Sequence, residues 1–236
     1  SDPTYSLVSG SDNYPDIIIG RFSAETADHV ITMVQRSINY SKDDPTFHNA
    51  IGIASSSGAG DDGEYDWEHI RNIRTDLLNW HYTNVDEFYD GSRGGADAEN
   101  DPTADMVSAS INNGASLINY VGHGSENKWG TSGFSITDVN ALSNDNKLPF
   151  IFSAACLVGN FTDRTCFCEA WLRARNSITN NPTGAIGIYG SSVKQYFIPP
   201  MEAQDEFNRL LTSEQNATFG ALCYNGSIAM IDAYGT

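Results

Sequence analysis

Ser116-Leu-Ile-Asn-Tyr-Val121-Gly-His-Gly-Ser125 reads as an apolar strand stopped abruptly by a histidine held between two glycines. Further along, Pro149-Phe-Ile-Phe-Ser-Ala-Ala-Cys156 is a second and more apolar strand, ending on a cysteine. Runs this short and this apolar suit strands buried on both faces, as in a parallel sheet whose crossovers are helices. Working outward, Ala50–Ser55, Asn84–Tyr89 and Ala185–Tyr189 repeat the strand pattern, and Asp16-Ile-Ile-Ile-Gly20 reads as a further buried strand. Between them lie stretches with apolar residues at helical spacing, over 24–40, 67–78, 102–112, 137–142, 165–176, 200–211 and 218–233. Strand and helix alternate about six times, which predicts an α/β fold: a mainly parallel sheet of about six strands with helices on both faces. In such sheets chemistry collects just beyond the carboxyl ends of the strands.

That rule selects His123 and Cys156. Gly122 and Gly124 allow a sharp turn and a close backbone approach, and leave amides free to donate to an oxyanion. The other four histidines, His29, His48, His69 and His81, fall on predicted helices or surface loops and read as solvated or packing residues. A cysteine ending a buried strand reads by itself as a small hydrophobe. Beside an imidazole at the end of a neighbouring strand it reads instead as a nucleophile, the thiol ionising and the histidine protonating a leaving amine.

The whole chain sets the bounds. Its 236 residues bury enough surface to fold without a metal or disulfide staple. Thirteen basic against thirty acidic residues leave a net charge of −17 with histidine neutral, which argues against a nucleic-acid partner or an anionic membrane. No apolar run is long enough to span a bilayer, so membrane insertion is not expected. The four cysteines do not form a disulfide scaffold, and Cys166-Phe-Cys168 lacks the spacing of a zinc site.

The segments Asn119-Tyr-Val-Gly-His-Gly-Ser125, Trp129-Gly-Thr131, Lys147–Cys156, Pro182-Thr-Gly184 and Pro200-Met-Glu-Ala-Gln-Asp-Glu206 together resemble the gingipain peptidases, above all the arginine-specific gingipains. Similar stretches run from Ile17 to Gly226, and His123 and Cys156 stand 33 positions apart in a specific block. The resemblance implies a caspase-like three-layer sandwich and a cysteine endopeptidase cutting after arginine, with Cys156 as nucleophile and His123 as general acid. It also implies an oxyanion hole from the amides of Gly124 and Cys156. Asp66 matches the carboxylate at the base of the pocket for the side chain preceding the cut, where it would pair with a guanidinium. Read without the resemblance, Asp66 is one of several acids that favour a helix start. Val121, Gly122 and Gln195 match pocket-lining positions, and Phe197 stands where the family has a tryptophan lid.

Lysine-specific relatives take their acid from the loop after Gly190, and Ser191–Phe197 contains none. The family also places an acid where this chain has Ser57. Either the dyad works alone, or Asp61 or Asp62 reaches in, or activity is weakened. Structural calcium is a further implication, with Asp61–Glu64 and Asp97–Asp101 offering hard oxygen ligands. So is secretion or cell-surface location. Residues 1–236 match a catalytic subdomain alone, without the relatives' amino-terminal subdomain and immunoglobulin-like domain, so a cleaved amino-terminal fragment is an expected partner beside protein or peptide substrates. Two other readings remain: a non-catalytic binding domain on the same fold, and a transpeptidase acting on cell-surface proteins.

Overall fold

The computed structural model describes residues 2–40, 45–95, 100–215 and 218–235. A helical turn α1 (Pro3–Ser6) is followed by helix α2 (Ala27–Ile38), strand β1 (Asn49–Ala54), helix α3 (Asp66–Trp80) and strand β2 (Asn84–Tyr89). Next come α4 (Ala104–Asn113), β3 (Leu117–Val121), the small strands β4 (Gly124–Ser125) and β5 (Lys128–Trp129), and α5 (Ile136–Asn140). The chain closes with β6 (Phe150–Ala154), α6 (Phe167–Arg173), β7 (Gly187–Gly190), α7 (Pro199–Thr212) and α8 (Phe219–Tyr234).

Five strands form one parallel sheet in the order β2-β1-β3-β6-β7, and β4 and β5 form a separate antiparallel pair. The sixth expected strand is absent among the described residues. Asp16–Gly20 joins no ladder, and Ile17, Ile18 and Ile19 are 45%, 54% and 38% exposed. An apolar triplet has the propensity of a strand, but a strand needs a neighbour to pair with.

Side-chain alternation along the strands builds the three layers. Ile51, Ile53, Ile118, Tyr120 and Ile151 face one cluster, which includes Val107 of α4, Val139 of α5 and Trp171 of α6. Ala50, Ala54, Leu117, Val121 and Phe152 face the other, with Ile70 of α3, Phe207 of α7 and Leu222 of α8. Local chemistry fixes the helix starts. Thr26, Thr103 and Thr218 cap α2, α4 and α8 by accepting backbone N–H bonds, and α7 opens on Pro199 and Pro200. Because β1 leads outward to β2 while β3 continues on its other side, the strand order reverses between β1 and β3. The crevice beyond their carboxyl ends is where such a sheet places its ligand.

Candidate active site

Cys156 lies two residues beyond β6 and is half-buried. Leu157 takes a left-handed conformation, φ 62°, a strained state for a branched residue costing about 1–3 kcal/mol. Tertiary bonds hold it there: the Leu157 amide donates to the Val193 carbonyl at 3.0 Å and the Gly159 amide to the Ser191 carbonyl at 2.8 Å. The loop after β7 thus clasps the cysteine turn. It also reaches the sulfur, since the Gln195 amide donates to Cys156 Sγ at 3.4 Å and the thiol faces the Gln195 carbonyl at 3.8 Å. The resemblance places the Gln195 side chain in the pocket wall; its contacts with Cys156 are made by its backbone.

The histidine turn packs directly against this one. Gly122, at φ 150°, donates its amide to the Ala154 carbonyl at 3.2 Å. A Cβ on Gly124 would stand 2.8 Å from the Ala155 methyl and 2.9 Å from the Cys156 carbonyl oxygen, so only glycine allows the two turns this approach. The His123 carbonyl accepts the Tyr120 hydroxyl at 2.6 Å and the Gly130 amide at 2.7 Å. Tyr120 in turn stacks on Trp129 with ring centroids 4.7 Å apart and planes 7° from parallel. The backbone around His123 is therefore pinned to the aromatic core while the residue itself stays partly open to solvent.

Asp66 opens α3 and is wholly buried. The Ser55 hydroxyl donates to its Oδ2, whereas Oδ1 has no hydrogen-bond partner. Burial raises this carboxyl to about 6, against the opposing influences of the Ser55 hydrogen bond and of the charges of His69 and His123. Ser55 also lies beneath the histidine turn, 3.0 Å from where a Gly122 Cβ would be. Phe197, 40% exposed, covers Gly60 in the loop leading to Asp66: a Cβ there would be 3.2 Å from its ring. Val121 is buried in the same apolar cluster as Ile70 and Met201, and Lys194 is exposed.

Ser57 does not act where an acid was expected. Its amide and hydroxyl both bond Ser55 Oγ at 3.0 Å, and its carbonyl accepts the Asp66 amide at 3.0 Å. Nor does Asp61 reach the histidine; it accepts the Tyr234 hydroxyl of α8, on a different side of its loop. Asp62, at φ 51°, is exposed. The carboxylate missed in the sequence is Asp90, the residue after β2, whose amide donates to the Ala54 carbonyl at 3.0 Å. Asp90 is raised to about 6 by burial and by the charges of Asp101 and Asp66, while the neighbouring Thr131 and the charge of His123 oppose the rise. Its position at a strand's carboxyl end was the available signal.

A parallel sheet with a cysteine turn and a histidine turn at adjoining strand ends, flanked by helices on both faces, is a caspase-like α/β sandwich. The chain belongs to peptidase family C25, whose model matches residues 1–235. It is 38% identical over 245 residues to gingipain R2 of Porphyromonas gingivalis, an alignment covering 99% of this chain and 32% of that protein. With Lys-gingipain HG66 of the same organism it shares 26% over 204 residues, 84% of this chain and 11% of the other. The crystal structure of the Arg specific cysteine proteinase gingipain R matches with a TM-score of 0.91 at 38% identity, over 99% of this chain and 54% of that one. The chain spans about half of that solved structure and about a third of gingipain R2.

Proposed function

We propose that this chain is the catalytic subdomain of a cysteine endopeptidase that hydrolyses peptide bonds after arginine. The observation that carries the reading is Asp66: a wholly buried carboxylate with one unpartnered oxygen, in the loop system shared with the turns of His123 and Cys156. An orphaned anionic acceptor costs free energy unless a ligand donor completes it, and a guanidinium supplies two such donors in one plane.

In this reading the Cys156 thiolate attacks the scissile carbonyl carbon, forming a C–S bond. The oxygen that becomes negative is held by the amides of Gly124 and Cys156. As the C–N bond breaks, protonated His123 gives its proton to the departing amine, leaving a thioester. Water then attacks the thioester carbon, His123 takes its proton, and the acid product departs with the thiolate restored. Asp90, and behind it Asp66, supply the negative charge that favours the imidazolium where Ser57 cannot. Val121, Gly122, Gln195 and Phe197 line the arginine site.

Fluorogenic peptides differing only in Arg, Lys or Asn before the cut test the specificity; faster turnover of Lys or Asn would overturn it. Cys156→Ala should abolish both cleavage and labelling by a peptide electrophile. A non-catalytic binding domain is the second reading, favoured by Ser57, and failure of Cys156 in the folded protein to react with any peptide electrophile would establish it.

The substrates are proteins and peptides. A cleaved amino-terminal fragment is proposed as a partner, in line with the solved complex of the pro- and mature domains of a Porphyromonas gingivalis relative, over 56% of whose chain this one matches. Secretion or a cell-surface site is proposed from the relatives; among the described residues no helix is long and apolar enough to cross a membrane. Structural calcium finds limited support. Asp61 Oδ2 is buried and unpartnered, yet among the described residues no group of three or more His, Cys, Asp or Glu is arranged to hold a metal. Asp97 of the second acidic loop lies outside the described residues. No step of the reaction depends on the ion, and a rise in melting temperature on adding calcium to chelator-treated protein would test its structural role.

A further inference from the structure

A trans peptide is planar, so a carbonyl held on one side aims the N–H of the next residue to the other. The peptide joining His123 to Gly124 is held in this way. Its carbonyl accepts the Tyr120 hydroxyl at 2.6 Å and the Gly130 amide at 2.7 Å. A backbone carbonyl only accepts, so the single hydrogen of the Tyr120 hydroxyl is committed to it. The hydroxyl oxygen in turn accepts from the amides of Gly130 and Thr131 at 3.1 and 3.3 Å. Burial pushes the Tyr120 phenol up to about 12, so this hydrogen stays in place at neutral pH.

The donor at the other end of that peptide is unused. Strands β4 and β5 pair Gly124 with Trp129 and Ser125 with Lys128. The bond from the Gly130 amide to the His123 carbonyl marks Gly124 and Trp129 as a non-hydrogen-bonded pair of this antiparallel ladder. The Gly124 N–H therefore takes no part in the ladder and points away from the hairpin. Gly124 is partly exposed, and it lies against the cysteine turn, where a Cβ on it would stand 2.9 Å from the Cys156 carbonyl oxygen. The two bonds received by the His123 carbonyl also polarise the peptide, which strengthens its N–H as a donor by about 10–30% per bond.

Tyr120 is itself tied to the strand that leads to the cysteine. It stands opposite Ser153 in the register of β3 with β6. Its ring lies on Trp129 with centroids 4.7 Å apart, and Trp129 Nε1 donates to Ser153 Oγ at 2.9 Å. All three side chains are buried. The direction of the Gly124 N–H is thus set with reference to β6, and so to the Cys156 amide just beyond it.

We propose that Tyr120 is a positioning residue for the oxyanion hole: by holding the His123 carbonyl, its hydroxyl keeps the Gly124 N–H aimed at the substrate oxygen that becomes negative. The proposal rests on the reading of the Gly124 and Cys156 amides as the oxyanion hole of a cysteine peptidase. Tyr120→Phe keeps the ring and its stacking and removes only the hydroxyl, which frees the peptide to rock and misaims the donor.

The test measures kcat and KM of Tyr120→Phe on an arginine peptide, together with the rate at which iodoacetamide alkylates Cys156. Alkylation is a displacement of iodide at a saturated carbon and needs no oxyanion donor. The expected result is a fall in kcat of about tenfold, short of the roughly 10²–10³-fold for removing a donor outright. KM should be unchanged and the alkylation rate should stay within about twofold, because the missing interaction is made only in the transition state. An unchanged kcat, or a parallel fall in alkylation, overturns the proposal. Hydrogen exchange in the unmodified protein keeps the question decidable if the variant does not fold. The Gly124 amide should exchange fast in the free protein and slowly once the Cys156 thiol has added across the carbonyl of a peptide ending in an arginine aldehyde. A Gly124 amide protected before the aldehyde is added, or still fast after it has bound, overturns the proposal. Failure of the peptidase reading looks different: the unmodified protein then neither cleaves the peptide nor takes up the aldehyde.

Discussion

Two buried charges, one on each side of the sheet, are treated in opposite ways. Arg36 of α2 is 1% exposed and its guanidinium donates to the carbonyls of Trp171, Ala174 and Ala185, leaving only Nε without a partner. Two of these carbonyls end α6, where a cation also meets the negative end of the helix dipole. Burial lowers Arg36 to about 10, so the charge persists at neutral pH. Asp66 is as buried, but one hydroxyl is its side chain's sole hydrogen-bond partner and its other oxygen has none. The first charge is closed by the fold and holds it together. The second is left open, at a cost in stability, in the place where a cationic ligand would close it.

The comparison breaks first if Arg36→Met is harmless. That change removes three charge-assisted hydrogen bonds, although the Trp171 and Ala174 carbonyls keep the amides of Ala185 and Thr183, and should cost about 3–5 kcal/mol in urea unfolding, while kcat/KM per folded molecule stays within about twofold. Asp66→Asn should do the reverse. Preference for arginine over citrulline should fall by about 2–4 kcal/mol, the usual result of truncating one partner of a buried charged pair.

The same variant should be more stable without substrate. The folded carboxyl titrates near 6 and the unfolded one near its ordinary value of 3.8, so between these pH values the folded chain holds more protons. Stability therefore declines as pH rises through this window, and the cost is complete above it. Replacing the carboxylate with a neutral amide removes that cost, a gain of about 1–3 kcal/mol at pH 7.5 that vanishes below about pH 4. A D66N protein less stable than the original at neutral pH would end the argument for an open charge.

The smallest expected effect lies at Asp90. Asp90→Asn should lower kcat about tenfold at neutral pH by weakening the imidazolium, and Ser57→Glu in that background should restore part of it. An unchanged pH profile would remove Asp90 from the charge balance.

The layers were legible in the sequence because each strand carries its own signal. Residues 50–54, 117–121 and 150–154 are apolar on both faces, and threonines or prolines mark the starts of α2, α4, α7 and α8. Ile17–Ile19 failed because propensity says nothing of whether a pairing partner is at hand. The two turns could be located from glycine and strand-end position, since both are local features. His69 is a packing residue, as its place on a predicted helix suggests, but its partners Gln204 and Asp205 come from a helix more than 130 positions away. Asp90 and the backbone role of Gln195 were hidden similarly: neither a charge acting across strands nor an amide aimed at sulfur leaves a mark on the residue's own type.

Gly124 has a consequence for how such a chain can diverge. Every amino acid that could replace it adds at least a Cβ, and that atom has no room between the Ala155 methyl and the Cys156 carbonyl. The loops around it can drift and lengthen without disturbing the juxtaposition of the two turns. This one position works as a ratchet: a lineage that loses the glycine must rebuild both turns together, so the dyad's geometry should be inherited or abandoned as a unit.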